Sequence, residues 1–137
     1  MGASSSISHY IYISSSEDDK HATLLSSQLQ GCGHHTIQCD LNQINLTSIS
    51  SSIESILSKS KCIIVCINEK TLRSFKQIIE INNILDSNKK IIYAMTDKKF
   101  TPLTTIHLNG FIQTNQWFMA YDDETLEHTI SQLQELL

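Results

Sequence analysis

Short apolar runs alternate along the chain with longer segments in which apolar residues recur every three or four positions. The strand pattern covers residues 9–14, 36–40, 62–67 and 90–95, and in a weaker form residues 110–113. The helical spacing covers residues 18–30, a segment from Ser48, residues 72–86 and residues 122–137. Strict alternation of strands with helices of this length predicts an α/β domain with an open parallel sheet and helices on both of its faces.

Within each predicted helix, a stripe of apolar residues marks the face that we expect to be buried. The stripes comprise Ala22, Leu25 and Leu29; Ile49, Ile53, Ile56 and Leu57; Ile78, Ile81 and Leu85; and Leu126, Ile130, Leu133 and Leu137. Residues 62–67 are apolar at every position, which is typical of a strand covered on both faces in a parallel sheet. Cys62 and Cys66 share one face of that strand, so we expect both thiols in the core.

The first predicted strand ends in a polar turn. Ser14, Ser15 and Ser16 are followed by acids that include Asp18 and Asp19, and a helical pattern starts at once. Hydroxyls and carboxylates can accept hydrogen bonds from the unpaired first amides of a helix, where the helix dipole also favours negative charge. Open α/β domains bind ligands at the carboxyl ends of their strands, so this turn indicates the functional edge of the sheet.

Composition and charge narrow the classes of function. The chain has 137 residues and 40% hydrophobic content, which suits one domain with its own core. Its ten basic and fourteen acidic residues give a net charge of -4. Nucleic-acid binding needs a basic face to neutralise phosphates, so we exclude a nucleic-acid partner. No apolar run is long enough to span a bilayer, so we expect no transmembrane segment.

The N-terminal residues and the cysteines bear on location. Residues 1–8 are serine-rich and lack the apolar segment of a secretory signal peptide, so we interpret them as a flexible leader to a domain of residues 9–137. Gly2 with Ser6 also fits the permissive N-myristoylation pattern, which is the alternative interpretation. Without an export signal, the four cysteines are expected to be reduced thiols in a cytoplasmic protein.

Several strong chemical motifs are absent from the sequence, which has no glycine-rich phosphate loop, no dinucleotide-binding glycine motif and no GxSxG elbow. The acids at positions 18 and 19 resemble the acidic pair of response-regulator receivers. The third strand, however, ends in Ile67-Asn68-Glu69 without the aspartate that accepts the phosphoryl group in that family. A possible metal cluster lacks the common zinc spacing, so we expect no metal site among its members, Cys32, His34, His35 and Cys39.

Glu80 lies in the third predicted helix among isoleucines at positions 78, 79, 81 and 84. A carboxyl group in apolar surroundings can have a shifted pKa and belong to a cleft, as functional carboxylates often do. The alternative is a surface glutamate whose aliphatic stem lies along its apolar neighbours. The spacing alone leaves both interpretations open.

The order of these segments resembles that of a TIR domain, the Toll/interleukin-1-receptor module of animal, plant and bacterial immune proteins. The segments that carry the resemblance are residues 10–19, 39–44, 60–67, 80–81 with 88–92, and Trp117 with the last helix. They resemble, in turn, the family's first box, its second box at the start of the BB loop, its third strand, the helix and fourth strand that follow, and its C-terminal segment. The resemblance covers nearly the whole chain and implies a flavodoxin-like sheet of five parallel strands.

The sequence departs from the family pattern in two places. Residues 42–47, which correspond to the BB loop, lack the usual proline and glycine. In catalytic members a tryptophan stands four positions before the glutamate, whereas Lys76 stands there in this chain and the nearest aromatic residue, Phe75, stands five positions before Glu80.

The resemblance implies two alternative functions. Some TIR domains cleave NAD+ between nicotinamide and ribose once they are assembled, which here implies Glu80 as the catalytic carboxylate and NAD+ as substrate, with no separate cofactor. The implied NAD+-binding residues are Ser14, Ser15, Ser16, Ile44, Phe75 and Trp117. Other TIR domains are non-catalytic adaptors that pair with TIR domains, and this alternative predicts that changes in residues 42–46 disrupt assembly. The Glu80 match favours the enzyme in immune or cell-death type signalling, and the missing tryptophan favours the adaptor.

Overall fold

Five parallel strands form one sheet in the order β2-β1-β3-β4-β5. The structure, a computed structural model, describes residues 10–16, 18–39, 41–99 and 116–137. The strands are β1 Tyr10–Ser14, β2 His35–Ile37, β3 Ser60–Ile67, β4 Lys90–Met95 and β5 Gln116–Met119. Every neighbouring pair is parallel, so the predicted sheet type and strand number are confirmed.

Strand bounds differ from the prediction mainly at the two edges of the sheet. The central strand β3 and its neighbour β4 cover the predicted residues, because both carry continuous apolar runs. The edge strand β2 pairs with β1 over three residues and ends at Ile37, so Cys39 lies beyond it. The expected strand at residues 110–113 and the expected leader at residues 1–8 lie outside the described residues.

The described residues form four α-helices: α1 Lys20–Gly31, α2 Ile49–Ser58, α3 Phe75–Leu85 and α4 Asp123–Leu136. The first three connect successive strands, and α4 follows β5. Three of them begin at a side-chain cap of the predicted kind. Asp19 accepts from the amide of Ala22 at 3.0 Å, Ser74 accepts from Gln77, and Asp122 forms a capping box with Thr125. None of the helices in these described residues has the length and apolar character needed to cross a membrane.

The two faces of the sheet carry two separate cores, as predicted. Alternate residues of β1 and β3, among them Ile13 and Ile64, pack under α1 and α4, and Cys62 and Cys66 lie in this core as expected. The other alternate residues, among them Tyr12 and Val65, pack under α2 and α3. The period of two along each strand thus divides the chain into its two layers.

One residue of the predicted stripe on α3 is misplaced. Ile78 was expected to face inward, but it is 38% exposed, whereas Ile81 is buried as expected. The buried face of α3 also carries two polar residues, Gln77 and Glu80. The helix begins at Phe75, because the preceding Thr71–Arg73 forms a separate 3₁₀ turn. Its inward face includes Glu80, which is hydrogen-bonded to β1, and hydrophobic spacing cannot show such a contact.

The paired substitutions Ile81→Ala and Ile78→Ala test the orientation of α3. The first should lower the free energy of unfolding by about 2–4 kcal/mol, because it leaves a cavity in the core. The second should cost less than about 1 kcal/mol, because the side chain is already partly in water. Urea denaturation of both variants measures the difference, and equal losses would contradict the assigned helix face.

Candidate functional site

A cleft with a volume of about 720 Å³ lies where β1 ends and α3 begins. Its size is within the range of small-molecule sites. The polar turn after β1 forms one wall. The segment after β2 (residues 38–39 and 41–46) forms another, and the first turn of α3 forms the third. The lining includes Ser15, Ser16, Cys39, Ser74, Phe75 and Lys76. The predicted functional edge of the sheet therefore carries a cavity of suitable size.

Glu80 lies next to this cleft but does not line it. Its side chain is 1% exposed and is held by two hydroxyls of β1. Ser14 Oγ donates to Glu80 Oε1 at 2.5 Å, and the Tyr12 hydroxyl donates to Glu80 Oε2. Because residues two apart on a strand point to the same face, β1 presents both hydroxyls to α3. The carboxyl group thus joins α3 to β1 under the polar turn.

Burial controls the protonation of this group. Removal from water raises the pKa of Glu80 to about 7, and the hydrogen bonds from Ser14 and Tyr12 oppose the rise. Burial, and next the charge of Glu80, raises the pKa of the Tyr12 phenol, so Tyr12 remains a hydrogen-bond donor at neutral pH. Near neutrality the carboxyl group can therefore exist in either protonation state.

The structure brings together most of the residues that the sequence suggested, but not all of them. Ser15, Ser16 and Phe75 line the cleft, while Ser14 lies beneath it with Glu80. Phe75 is 66% exposed. Their contact with NAD+ stays a prediction.

Two suggested residues lie outside the cleft lining. Ile44 packs against the core under α2 and α3. Trp117 lies on β5, and two strands separate β5 from β1. At the usual strand spacing this places Trp117 about 14 Å to the side of the polar turn. The structure thus does not bring Trp117 to the cleft that Ser15 and Ser16 line.

A polar network at the ends of three strands was missed by the sequence analysis. Asp19 Oδ2 accepts from Asn68 Nδ2 at 3.0 Å and from Thr96 Oγ1 at 2.5 Å, and Ser16 Oγ donates to Asn68 Oδ1 at 3.0 Å. Asn68 and Thr96 directly follow β3 and β4, which was the available signal. Asp19 is thus a helix cap and a structural link between loops. No group of three or more possible metal ligands occurs within the described part of the chain.

The contacts of Lys76 were also missed, since the sequence marked it only as the position where the family has a tryptophan. Its ammonium group donates to the carbonyl oxygens of Leu41 and Ile44, each at 2.7 Å. These bonds tie the segment after β2 to the first turn of α3. The partners are 35 and 32 residues away, so no local pattern could have indicated them.

The substitution Glu80→Gln should remove a pH dependence of stability. The carboxyl group ionises near its ordinary value of 4.5 when unfolded and near 7 when folded, so the folded protein holds the proton more tightly between these values. The stability due to protonated Glu80 is fully present below pH about 4.5 and is lost as pH rises through about 7. Relative to the variant, the wild type should lose up to about 3 kcal/mol over this interval.

Urea denaturation at a series of pH values measures this difference. Glu54→Gln provides the matched control, because Glu54 is exposed on α2 and its replacement should leave the wild-type pH profile unchanged. Parallel stability curves for the wild type and Glu80→Gln would contradict the raised pKa.

Comparison with known protein families supports the resemblance seen in the sequence. The family model described as TIR domain matches residues 11–134, which extend from β1 into α4. A search of curated proteins gave no match. The five-stranded parallel sheet with helices on both faces agrees with the flavodoxin-like fold expected of this family. The chain belongs to the TIR domain family, whose members signal through contacts between TIR domains.

Proposed function

We propose that this TIR domain self-associates in immune or cell-death type signalling and cleaves NAD+ between nicotinamide and ribose, with Glu80 as the catalytic carboxylate. The observation that supports the enzyme most strongly is the carboxyl group itself. It is buried, its pKa is raised to about 7, and it is held by Ser14 immediately below the serines that line a cleft of about 720 Å³. Perturbed carboxyl groups beside clefts are characteristic of functional sites.

The chemistry needs few protein groups. When the bond between the ribose C1′ and the nicotinamide nitrogen breaks, its electron pair leaves with nicotinamide, and the ribose acquires oxocarbenium-like positive charge. An ionised carboxylate near the ribose stabilises that charge and can hold the ribose hydroxyls. Water then adds to C1′ and loses a proton, which gives ADP-ribose. Nicotinamide leaves as a neutral molecule, so no strong general acid is required.

The proposal requires Glu80 to move into contact with the cleft. The 1% exposure of Glu80 means that a ligand cannot reach the carboxylate while Ser14 and Tyr12 cover it. A small displacement of α3 would break these two bonds and turn the carboxylate toward the cleft. Phe75, which is 66% exposed at the start of α3, offers a surface on which a neighbouring subunit can act. This would make activity dependent on assembly.

The second candidate function is a non-catalytic TIR adaptor. It is favoured by the burial of Glu80 and by the hydrogen bonds to both of its carboxylate oxygens. In that case the carboxyl group only fastens α3 to β1, and Lys76, at the position of the family's tryptophan, only fastens the segment after β2. The two candidates therefore assign different roles to Glu80, which is catalytic in the first and structural in the second.

Incubation of concentrated protein with NAD+ tests the enzyme. The wild type should release nicotinamide, and Glu80→Gln should reduce the rate by about 10²-fold or more, because the transition-state charge loses its stabilising partner. The exposed Glu54→Gln control should retain the wild-type rate. Equal rates in the wild type and Glu80→Gln, or intact NAD+ at concentrations where the wild type assembles, would contradict the enzyme and favour the adaptor.

Leu46→Asp tests the role of the segment after β2 in self-association. Leu46 is 55% exposed, and burying such a side chain at a contact contributes about 1.5–3 kcal/mol. The variant should weaken self-association by about tenfold or more, as measured by sedimentation velocity. Leu24→Asp is the matched control, since Leu24 is 41% exposed on α1. An equal effect of both substitutions, or none for Leu46→Asp, would contradict a contact through this segment.

A further inference from the structure

Among the described residues, no acidic group forms an ion pair with Lys76. In the described part of the chain, the ion pair is Arg73 with Glu69, and Lys76 instead donates to two neutral carbonyls. An ammonium group has three donors, so one donor remains available. A carbonyl is also a weaker partner for a cation than an anionic oxygen is. The side chain therefore has the capacity to take a better partner.

The surroundings of Lys76 on α3 favour an anion. Lys76 is the second residue of the helix, where the helix dipole is positive and a cation is unfavourable. Ser74 caps the amide of Gln77, while the first two amides of α3 have no acceptor among the described residues. Ser74, Phe75 and Lys76 all line the cleft, and Lys76 is the basic residue among its described lining residues.

The opposite wall of the cleft carries the acids Asp18 and Asp19. Asp19 is already occupied, because it accepts from the amide of Ala22 and from two side chains of the loops after β3 and β4. The positive potential is thus confined to the α3 side. An elongated ligand with its anionic part at α3 and its hydroxyls at the other wall fits this division of charge.

We propose that Lys76 binds the diphosphate of a nucleotide in the cleft and, by exchanging its carbonyl partners for phosphate oxygens, releases the turn of residues 41–44. The inference rests on the proposed function in placing a nucleotide in the cleft, but it does not require cleavage. Between residues 41 and 44 the remaining backbone bond is a long one, from the Ile44 amide to the Leu41 carbonyl at 3.4 Å. Leu41 and Ile44 also pack on the core, but Lys76 makes the two shortest hydrogen bonds to this turn, so ligand binding loosens its backbone.

The experiment uses hydrogen exchange of the backbone amides at residues 41–46, together with ADP-binding isotherms. ADP should raise exchange in this segment of the wild type by about tenfold, and adenosine, which lacks phosphate, should not. Lys76→Met should show fast exchange without ligand, no further change with ADP, and ADP affinity reduced by about tenfold or more. Lys59→Met, a charge removal at an exposed position after α2, should behave as the wild type.

The comparison of ADP with adenosine needs no variant, so it remains decisive if Lys76→Met fails to fold. Absence of ADP binding to the wild type, slower or unchanged exchange in the ADP complex, an equal response to adenosine, or wild-type ADP affinity in Lys76→Met would each overturn the proposal. The same measurements on Glu80→Gln separate it from the enzyme proposal. In Glu80→Gln, loss of NAD+ cleavage with the ADP response retained would support both proposals, whereas retained NAD+ cleavage with the same ADP response would contradict only the assignment of catalysis to Glu80.

Discussion

The position of α3 depends on a buried carboxyl group and the two hydroxyls that satisfy it. A carboxyl group removed from water costs several kcal/mol unless it is protonated or hydrogen-bonded. Ser14 and Tyr12 supply that compensation from β1, the strand that also leads into the cleft. The same contact that fixes α3 therefore also fixes the distance between Glu80 and the cleft.

The two faces of the sheet differ in how well their buried groups are satisfied. The face under α1 and α4 is a continuous apolar core. The face under α3 contains Glu80 and Gln77, and in the described residues Gln77 Oε1 and the Tyr93 hydroxyl have no hydrogen-bond partner. Gln77 is otherwise held by one long bond of 3.4 Å to the Cys66 carbonyl. Unsatisfied buried polar groups lower the cost of displacing the element that carries them. The unsatisfied Gln77 Oε1 thus reduces the cost of displacing α3.

Local patterns predicted the layers of this fold because strand and helix periods report burial directly. The apolar run of β3 and the stripe of α2 needed no tertiary information. The orientation of α3 did need it, since the partners of Glu80 are 66 and 68 residues away, and hydrophobic spacing assigned Ile78 to the core instead. The apolar neighbours of Glu80 were enough to single it out, but not to show that hydroxyls of β1 would hold it.

Trp117 lies away from the cleft for a different reason. A sequence shows the order of strands along the chain, whereas the cleft depends on their order in the sheet. The crossovers place β5 at the edge opposite β2 and leave β3 and β4 between Trp117 and the turn after β1. Family resemblance suggests a role for Trp117, but the strand order fixes its distance from the turn after β1 within one subunit. If Trp117 meets a ligand at the cleft, that cleft belongs to a neighbouring subunit.

Lys76 and Glu80 connect the two proposed events through one helix. They are four residues apart on α3, so they lie on the same side of it, one turn from each other. Lys76 holds the segment after β2, and Glu80 holds β1. A displacement of α3 that frees the Glu80 carboxylate must also strain the bonds from Lys76 to the two carbonyls. Conversely, a phosphate that draws Lys76 away removes one of the restraints on α3. If both proposals hold, ligand binding and exposure of the carboxylate favour each other through α3, and a contact made by a neighbouring subunit on α3 would act on both.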